Sequence, residues 1–222
     1  MSEGTKREVI RITLLGDQSV GKTTIRSVFL KLDFEENTLS TVGTNKSETK
    51  FKLKDGKEIK LFLYDTAGEE RFRSLSIKTV KNCQGIVLVY DITDRQTFEH
   101  LANWLNEIKE ESDKVSMIIF GNKCDLEDQR KVTKQEAEKF AKQNKIPYIE
   151  TSAKLFTNIN EGFSILANDA YERFGSALGV GLKKKGKKKG KSCWAIIFVI
   201  LLLLYDKWLI KYISKKICLI SF

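Results

Sequence analysis

Eight residues, Gly16-Asp17-Gln18-Ser19-Val20-Gly21-Lys22-Thr23, fit G-x-x-x-x-G-K-[ST], a spacing that binds phosphate. An apolar run, Val9 to Leu15, precedes them, and a helix-like segment from Thr24 to Leu32 follows. Glycines in such a loop let backbone N–H groups converge on an anion, and the helix start adds partial positive charge. Lys22 can then reach β- and γ-phosphates, and the Thr23 hydroxyl can sit on Mg²⁺. Thr24, next along the helix, counts with the phosphate-binding set.

Two further motifs address the base. Asn122-Lys123-Cys124-Asp125 follows the apolar run ending at Phe120-Gly121, at the strand end where α/β sheets take ligands. A carboxylate at Asp125 can accept from guanine N1–H and from the exocyclic amine. Adenine offers no such pair of donors and would leave the acid unsatisfied. Ser152-Ala153-Lys154, after the last strand-like run, can offer backbone N–H to guanine O6. Asp65-Thr66-Ala67-Gly68 ends another strand. An Asp there suits a water-mediated Mg²⁺ contact, and Gly68 lets its N–H approach a γ-phosphate with no side chain between.

The elements that must hold these loops are legible as alternating strand and helix patterns. Strand-like runs cover Val9–Leu15, Lys50–Leu53, Ile59–Tyr64, Gly85–Tyr90, Val115–Phe120 and Pro147–Ile149. Helix-like segments cover Lys22–Leu32, Arg95–Glu111, Thr133–Gln143 and Asn158–Phe174. Such alternation reads as βαβ units around a parallel sheet. One pair departs from it: Asp55-Gly56 between alternating apolar runs predicts an antiparallel hairpin of the second and third strands. Thr133 followed by Glu136 predicts a capping box. Trp104 reads as a packing residue of the third helix.

Charge divides the chain. Of its 222 residues and net charge of +10, the part from Gly175 onward holds eleven Lys and one Asp, so residues 1–174 are neutral. A neutral domain with a basic tail argues against a nucleic-acid-binding fold and points to electrostatic contact by the tail alone. The four cysteines are scattered, with no C-x-x-C pair, and His100 is the only histidine. Neither zinc nor a disulfide framework is expected. A polar start, Met1 to Glu8, lacks a secretory signal, and a reducing, cytosolic setting follows.

In series, GDQSVGKT, a Thr-containing loop, DTAGEERF, GNKCD and ETSAK resemble a small GTPase of the Ras superfamily. Arg71-Phe72-Arg73-Ser74 and Leu88-Val89-Tyr90-Asp91-Ile92-Thr93 resemble the Rab family in particular. The resemblance implies an α/β P-loop NTPase domain over residues 7–174, with a six-stranded, mostly parallel sheet, one antiparallel hairpin edge and five flanking helices. It implies a GTP/GDP switch of vesicle traffic that uses Mg²⁺ and hydrolyses GTP slowly with assistance. Two segments, around Asn37–Asn45 and Gly68–Lys81, would change shape with the γ-phosphate. Carried over, Thr41 would be a second Mg²⁺ ligand beside Thr23, Phe34 an aromatic edge against guanine, and Lys22 and Gly68 part of the hydrolytic machinery. Implied partners are an exchange factor, a TBC-type activating protein, a dissociation inhibitor and effectors, with the chain itself a monomer.

Three departures stand out. Glu69 occupies the family's water-orienting Gln position, so altered hydrolysis is expected. The alternative is a module locked with GTP. Gly43-Thr44-Asn45-Lys46 and Thr79-Val80 replace the family's usual switch residues, which implies an unusual effector set. The tail differs as well. Residues 175–192 are expected to form a flexible polybasic tail in which Lys183–Lys191 carries seven Lys, suited to an anionic membrane surface. Residues 193–222 form an apolar segment with Cys193 and Cys218, neither placed as a C-a-a-X box. Trp194–Tyr205 is too short to span a bilayer without burying Asp206 and Lys207. A membrane-embedded segment, an interfacial one and translated non-coding sequence all remain open readings. The expected location is the cytoplasmic face of an intracellular membrane, cycling with the cytosol if lipidated.

Overall fold

The computed structural model describes residues 8–32, 44–68, 70–112 and 114–175. Val9–Leu15 forms the first strand, β1, whose alternation sends Ile10, Ile12 and Leu14 to one face and Thr13 and Leu15 to the other. It pairs in parallel with β3 (Glu58–Thr66) on one side and β4 (Gly85–Asp91) on the other. β5 (Ser116–Asn122) and β6 (Tyr148–Glu150) extend the parallel sheet. β2 (Thr44–Lys52) adds the opposite edge, antiparallel to β3, giving the order β2-β3-β1-β4-β5-β6. The hairpin forms as the Asp55-Gly56 signal predicts: Gly56 has φ 86° and donates its N–H to Leu53 O at 2.9 Å.

The sheet is buried on both sides. On one face α1 (Lys22–Phe29) and α6 (Ile159–Phe174) cover Ile12, Leu61, Leu63, Val87, Val89 and Phe120. There Phe29 stacks on Phe163 with centroids 4.0 Å apart. The other face receives α2 (Arg73–Lys78), α3 (Arg95–Glu99), α4 (Leu101–Glu111) and α5 (Lys134–Asn144). α3 and α4 follow one another through His100, whose backbone stays helical at φ −68°, ψ −14°, and together count as one of five helices. Short 3₁₀ turns, Glu70–Phe72, Thr79–Asn82 and Glu127–Gln129, fill the connections.

The boundaries move where burial is weak. β2 begins at Thr44, six residues before its apolar run, and ends before Leu53. As an edge strand it alternates between exposed and half-exposed, so Thr44–Thr49 carry no apolar signature. The predicted helix Lys22–Leu32 stops at Phe29, and Lys31 turns left-handed at φ 59°. Thr133 caps α5 with the expected box: its hydroxyl accepts from Glu136 N, and Glu136 Oε2 accepts from Thr133 N. Trp104 is buried at 2 % exposure. Among the described residues no helix is long and apolar enough to cross a membrane. The tail from residue 176, with its lysine run and apolar segment, lies outside the described residues.

Candidate functional site

The loops after β1, β3, β5 and β6 gather at one edge of the sheet, the carboxyl ends of its parallel strands. The first leaves β1 at Gly16 (φ 140°) and enters α1 at Gly21 (φ 94°), with Ser19 also left-handed at φ 62°. No side chain caps α1. Its first-turn N–H groups are therefore offered to whatever anion the loop holds. Gln18 and Ser19 are exposed, Val20 is buried, and Thr23 and Thr24 sit half-buried in the first helical turn.

Lys22 is 6 % exposed and folds its ammonium over the loop, donating to Gly16 O at 2.9 Å and Asp17 O at 2.6 Å. Burial pushes its pKa down to about 8, against the opposing pull of the Asp65 and Asp17 carboxylates. Gly68 packs on this same lysine. A Cβ at Gly68 would collide with Asp17 O and with Lys22 Nζ, so no side chain fits between the loop after β3 and the phosphate loop.

Asp65 lies fully buried at the end of β3, its Cα in register with Leu14. Its Oδ2 accepts from Thr23 Oγ1 at 2.7 Å, while Oδ1 is buried with no hydrogen-bond partner. Burial raises its pKa, and the Thr23 hydrogen bond, Arg26 and Lys22 act against that rise. An orphaned buried carboxylate oxygen beside a threonine hydroxyl suits the outer coordination of a hard divalent cation. No group of three His, Cys, Asp or Glu side chains that could hold a metal forms among the described residues. Hydroxyl, water and phosphate oxygens would supply the ligands, which fits Mg²⁺.

The base-side motifs are tied to the phosphate loop by one side chain. Asn122 is 2 % exposed; its Nδ2 donates to Val20 O at 2.8 Å, and its Oδ1 accepts from Thr151 Oγ1 at 3.3 Å. Lys123 adopts φ 64° and pairs with Asp91 at 2.5 Å, while Thr93 clamps the same Asp91 through its N–H and hydroxyl. Asp125 Oδ1 accepts from Ser152 Oγ at 2.5 Å, and Ser152 Oγ in turn accepts from Leu155 N at 3.0 Å. One expectation changes here. The Ser152 N–H is used by Thr157 O at 3.2 Å, so Ser152 acts through its hydroxyl. Any N–H offered to a base oxygen must come from the residues after it, Ala153 (buried) and Lys154 (exposed).

Four site neighbours lie outside the phosphate- and base-binding motifs. Asp17 receives Trp104 Nε1 at 2.8 Å and pairs with His100 Nδ1 at 2.5 Å, so α3 and α4 brace the phosphate loop. Arg26 approaches Asp65, and Asp91 anchors Lys123. The sequence marks His100 only as the sole histidine, Trp104 only as a packing residue and Asp91 only within the Leu88–Thr93 resemblance, none of them as part of the site. Phe34, Thr41 and Glu69 fall outside the described residues, as does most of the Asn37–Asn45 segment.

Comparison with known proteins gives a consistent result. A Ras family profile matches residues 11–172. The chain is 39 % identical over 198 residues to Ras-related protein Rab-13 of Canis lupus familiaris, covering 83 % of this chain and 95 % of the relative. It is 41 % identical over 162 residues to Ras-related protein Rab-8B of Homo sapiens, covering 72 % and 78 %.

Proposed function

The chain belongs to the Ras family as a Rab-type GTP hydrolase, and on that footing we propose that it switches between GTP and GDP forms on routes of membrane traffic. Hydrolysis is slow and assisted by a partner. The observation that carries this reading is the Asn122 bridge. One buried side chain joins the phosphate loop, at Val20 O, to the β5–α5 loop that presents Asp125. A protein that must read phosphate and base together needs those loops held in fixed relation.

In this reading the phosphate-loop N–H groups from Asp17 to Thr24 and the Lys22 ammonium hold the α-, β- and γ-phosphates. Asp125 reads guanine N1–H and its amine, and Ser152 fixes that carboxylate in place. Lys123 and Phe34 flank the base, and Ala153 serves its O6. Thr23 and Thr41 would hold Mg²⁺ directly and Asp65 through water. A Mg²⁺ ion held by these residues would supply positive charge against the negative charge of the phosphate oxygens. Gly68 brings its N–H to the γ-phosphate. Glu69 stands where a water-orienting Gln is usual, so the chain depends on groups supplied by an activating protein for fast turnover.

Effectors would meet the face between β2–β3 and α2. A groove of about 280 Å³ there is lined by Thr44, Tyr64, Leu75, Lys78, Thr79 and Asn82. Leu75 is half-exposed, whereas Val80 is buried and Thr79 is engaged with Thr13 and Ser76. That surface is poorer in aromatic rings than a Tyr pair would make it, which supports a distinct effector set. The Lys183–Lys191 run supplies attraction to an anionic cytoplasmic leaflet. Nucleotide extracted from the purified full-length chain tests the core of this reading. Guanine nucleotide in near-stoichiometric amount supports it, and adenine nucleotide or none overturns it.

A further inference from the structure

Arg26 sits one turn along α1 from Lys22 and Thr23 and faces the end of β3. Its Nη1 lies 3.9 Å from Asp65 Oδ2, beyond hydrogen-bond length, so the two meet as charges rather than as a bonded pair. The Arg26 side chain is only 15 % exposed, and its Nε is buried with no hydrogen-bond partner. The Asp65 side chain is wholly buried, and its Oδ1 has no partner either. A desolvated guanidinium with an orphaned N–H is costly, and so is a desolvated carboxylate with an orphaned oxygen. Here the two sit side by side without closing the hydrogen bond that would relieve both. Neither group is shaped as a structural staple; each retains an unused polar atom.

We propose that Arg26 is a built-in counter-charge at the Mg²⁺ site, which lowers the chain's affinity for Mg²⁺ and so raises the Mg²⁺ concentration needed to retain nucleotide. The proposal rests on the guanine-nucleotide and Mg²⁺ reading above. A fixed positive charge beside the carboxylate competes with a divalent cation for the same field. In a buried setting of reduced dielectric this repulsion is not screened as it is in water. The consequence is nucleotide release that sets in at a higher free Mg²⁺ concentration than a neutral side chain at position 26 would give. Lys22 adds positive charge nearby but is bonded to Gly16 and Asp17 carbonyls, whereas Arg26 has no such backbone contact among the described residues.

The test is the release rate of N-methylanthraniloyl-GDP from the full-length chain across a series of free Mg²⁺ concentrations. Arg26→Gln and Arg26→Met remove the charge, and Met retains more of the apolar stem. Arg26→Lys keeps the charge. The neutral variants should move the Mg²⁺ midpoint down by about tenfold, with Arg26→Lys within about twofold of the parent. A packing role would change thermal stability in all three and leave the midpoint where it is. Release that depends on Mg²⁺ but with an unmoved midpoint in both neutral variants overturns the proposal and leaves the nucleotide reading intact. A parent chain that retains no GDP at any Mg²⁺ concentration overturns both.

Discussion

The indole N–H of Trp104 donates to Asp17 Oδ1 at 2.8 Å, joining α4 to the phosphate loop across 87 positions of sequence. The outer face of the same ring carries the Arg73 guanidinium, 4.2 Å from the ring, and Arg73 is paired with Glu107 at 2.8 Å. Trp104 thus stands between the loop that holds phosphate and α2, the helix within the segment expected to respond to it. Trp104→Phe keeps one aromatic ring, deletes the donor and leaves a small cavity where the rest of the indole was. It leaves a mostly buried Asp17 oxygen without its partner, at about 1–3 kcal/mol. Chemical denaturation should show that loss together with the cost of the small cavity, and GDP release should quicken because the loop loses its brace.

Asp125→Asn changes what the site reads. Ser152 Oγ can still bond the residue, but an amide presents a donor where the carboxylate had an acceptor. Guanine then meets a donor with its own N–H and amine donors, and affinity should fall by about 10⁴-fold or more. Xanthine carries a carbonyl in place of the amine and should gain. Competition between GDP and XDP for the variant measures the exchange of preference. Equal loss of both bases would place base recognition elsewhere.

Gly68→Ala should separate binding from switching. The added methyl collides with Asp17 O and Lys22 Nζ, both parts of the phosphate loop. The loop after β3 must then withdraw. GDP binding should change by less than about threefold, while GTP affinity and phosphate release fall by at least tenfold, since only the γ-phosphate is met from that side.

The lowered pKa of Lys22 gives nucleotide binding a definite pH dependence. Without phosphate the buried ammonium loses its proton near pH 8. Phosphate charge favours the protonated form, so the complex keeps the proton to higher pH. Binding above about pH 8 must therefore take up a proton, and affinity should fall about tenfold per pH unit there and be flat below about pH 7. Calorimetry in two buffers of different ionisation enthalpy reads the proton uptake directly. Lys22→Met should abolish it, along with most of the affinity.

How much of this was legible in the sequence follows from where the signals come from. The strand order itself is not written in any run, but the hairpin was, because Asp55-Gly56 marks a local turn with its own backbone demand. The outer half of β2 was invisible, since an edge strand exposed on both faces needs no apolar residues. The phosphate loop, Asn122, Asp125 and Asp65 stood out because each sits in a short motif at a strand end. Asp17 and Ser152 were placed in the site, but what holds them was not. Their partners, Trp104, His100 and Asp125, lie 87, 83 and 27 positions away, and only the fold brings them together. Arg26 falls within the predicted helix Lys22–Leu32 with no motif to mark it, and its position beside Asp65 is a product of how α1 packs on β3.

Glu69 concentrates the central claim, because a switch must turn itself off and this position usually holds the residue that orients water. Single-turnover hydrolysis of GTP bound to the full-length chain, run beside Glu69→Gln, tests it most directly. The account predicts slow but finite phosphate release by the parent, with faster release by Glu69→Gln. GTP retained unchanged by the parent, and hydrolysed only after Glu69→Gln, would contradict it: the chain would then be a module held in its GTP form.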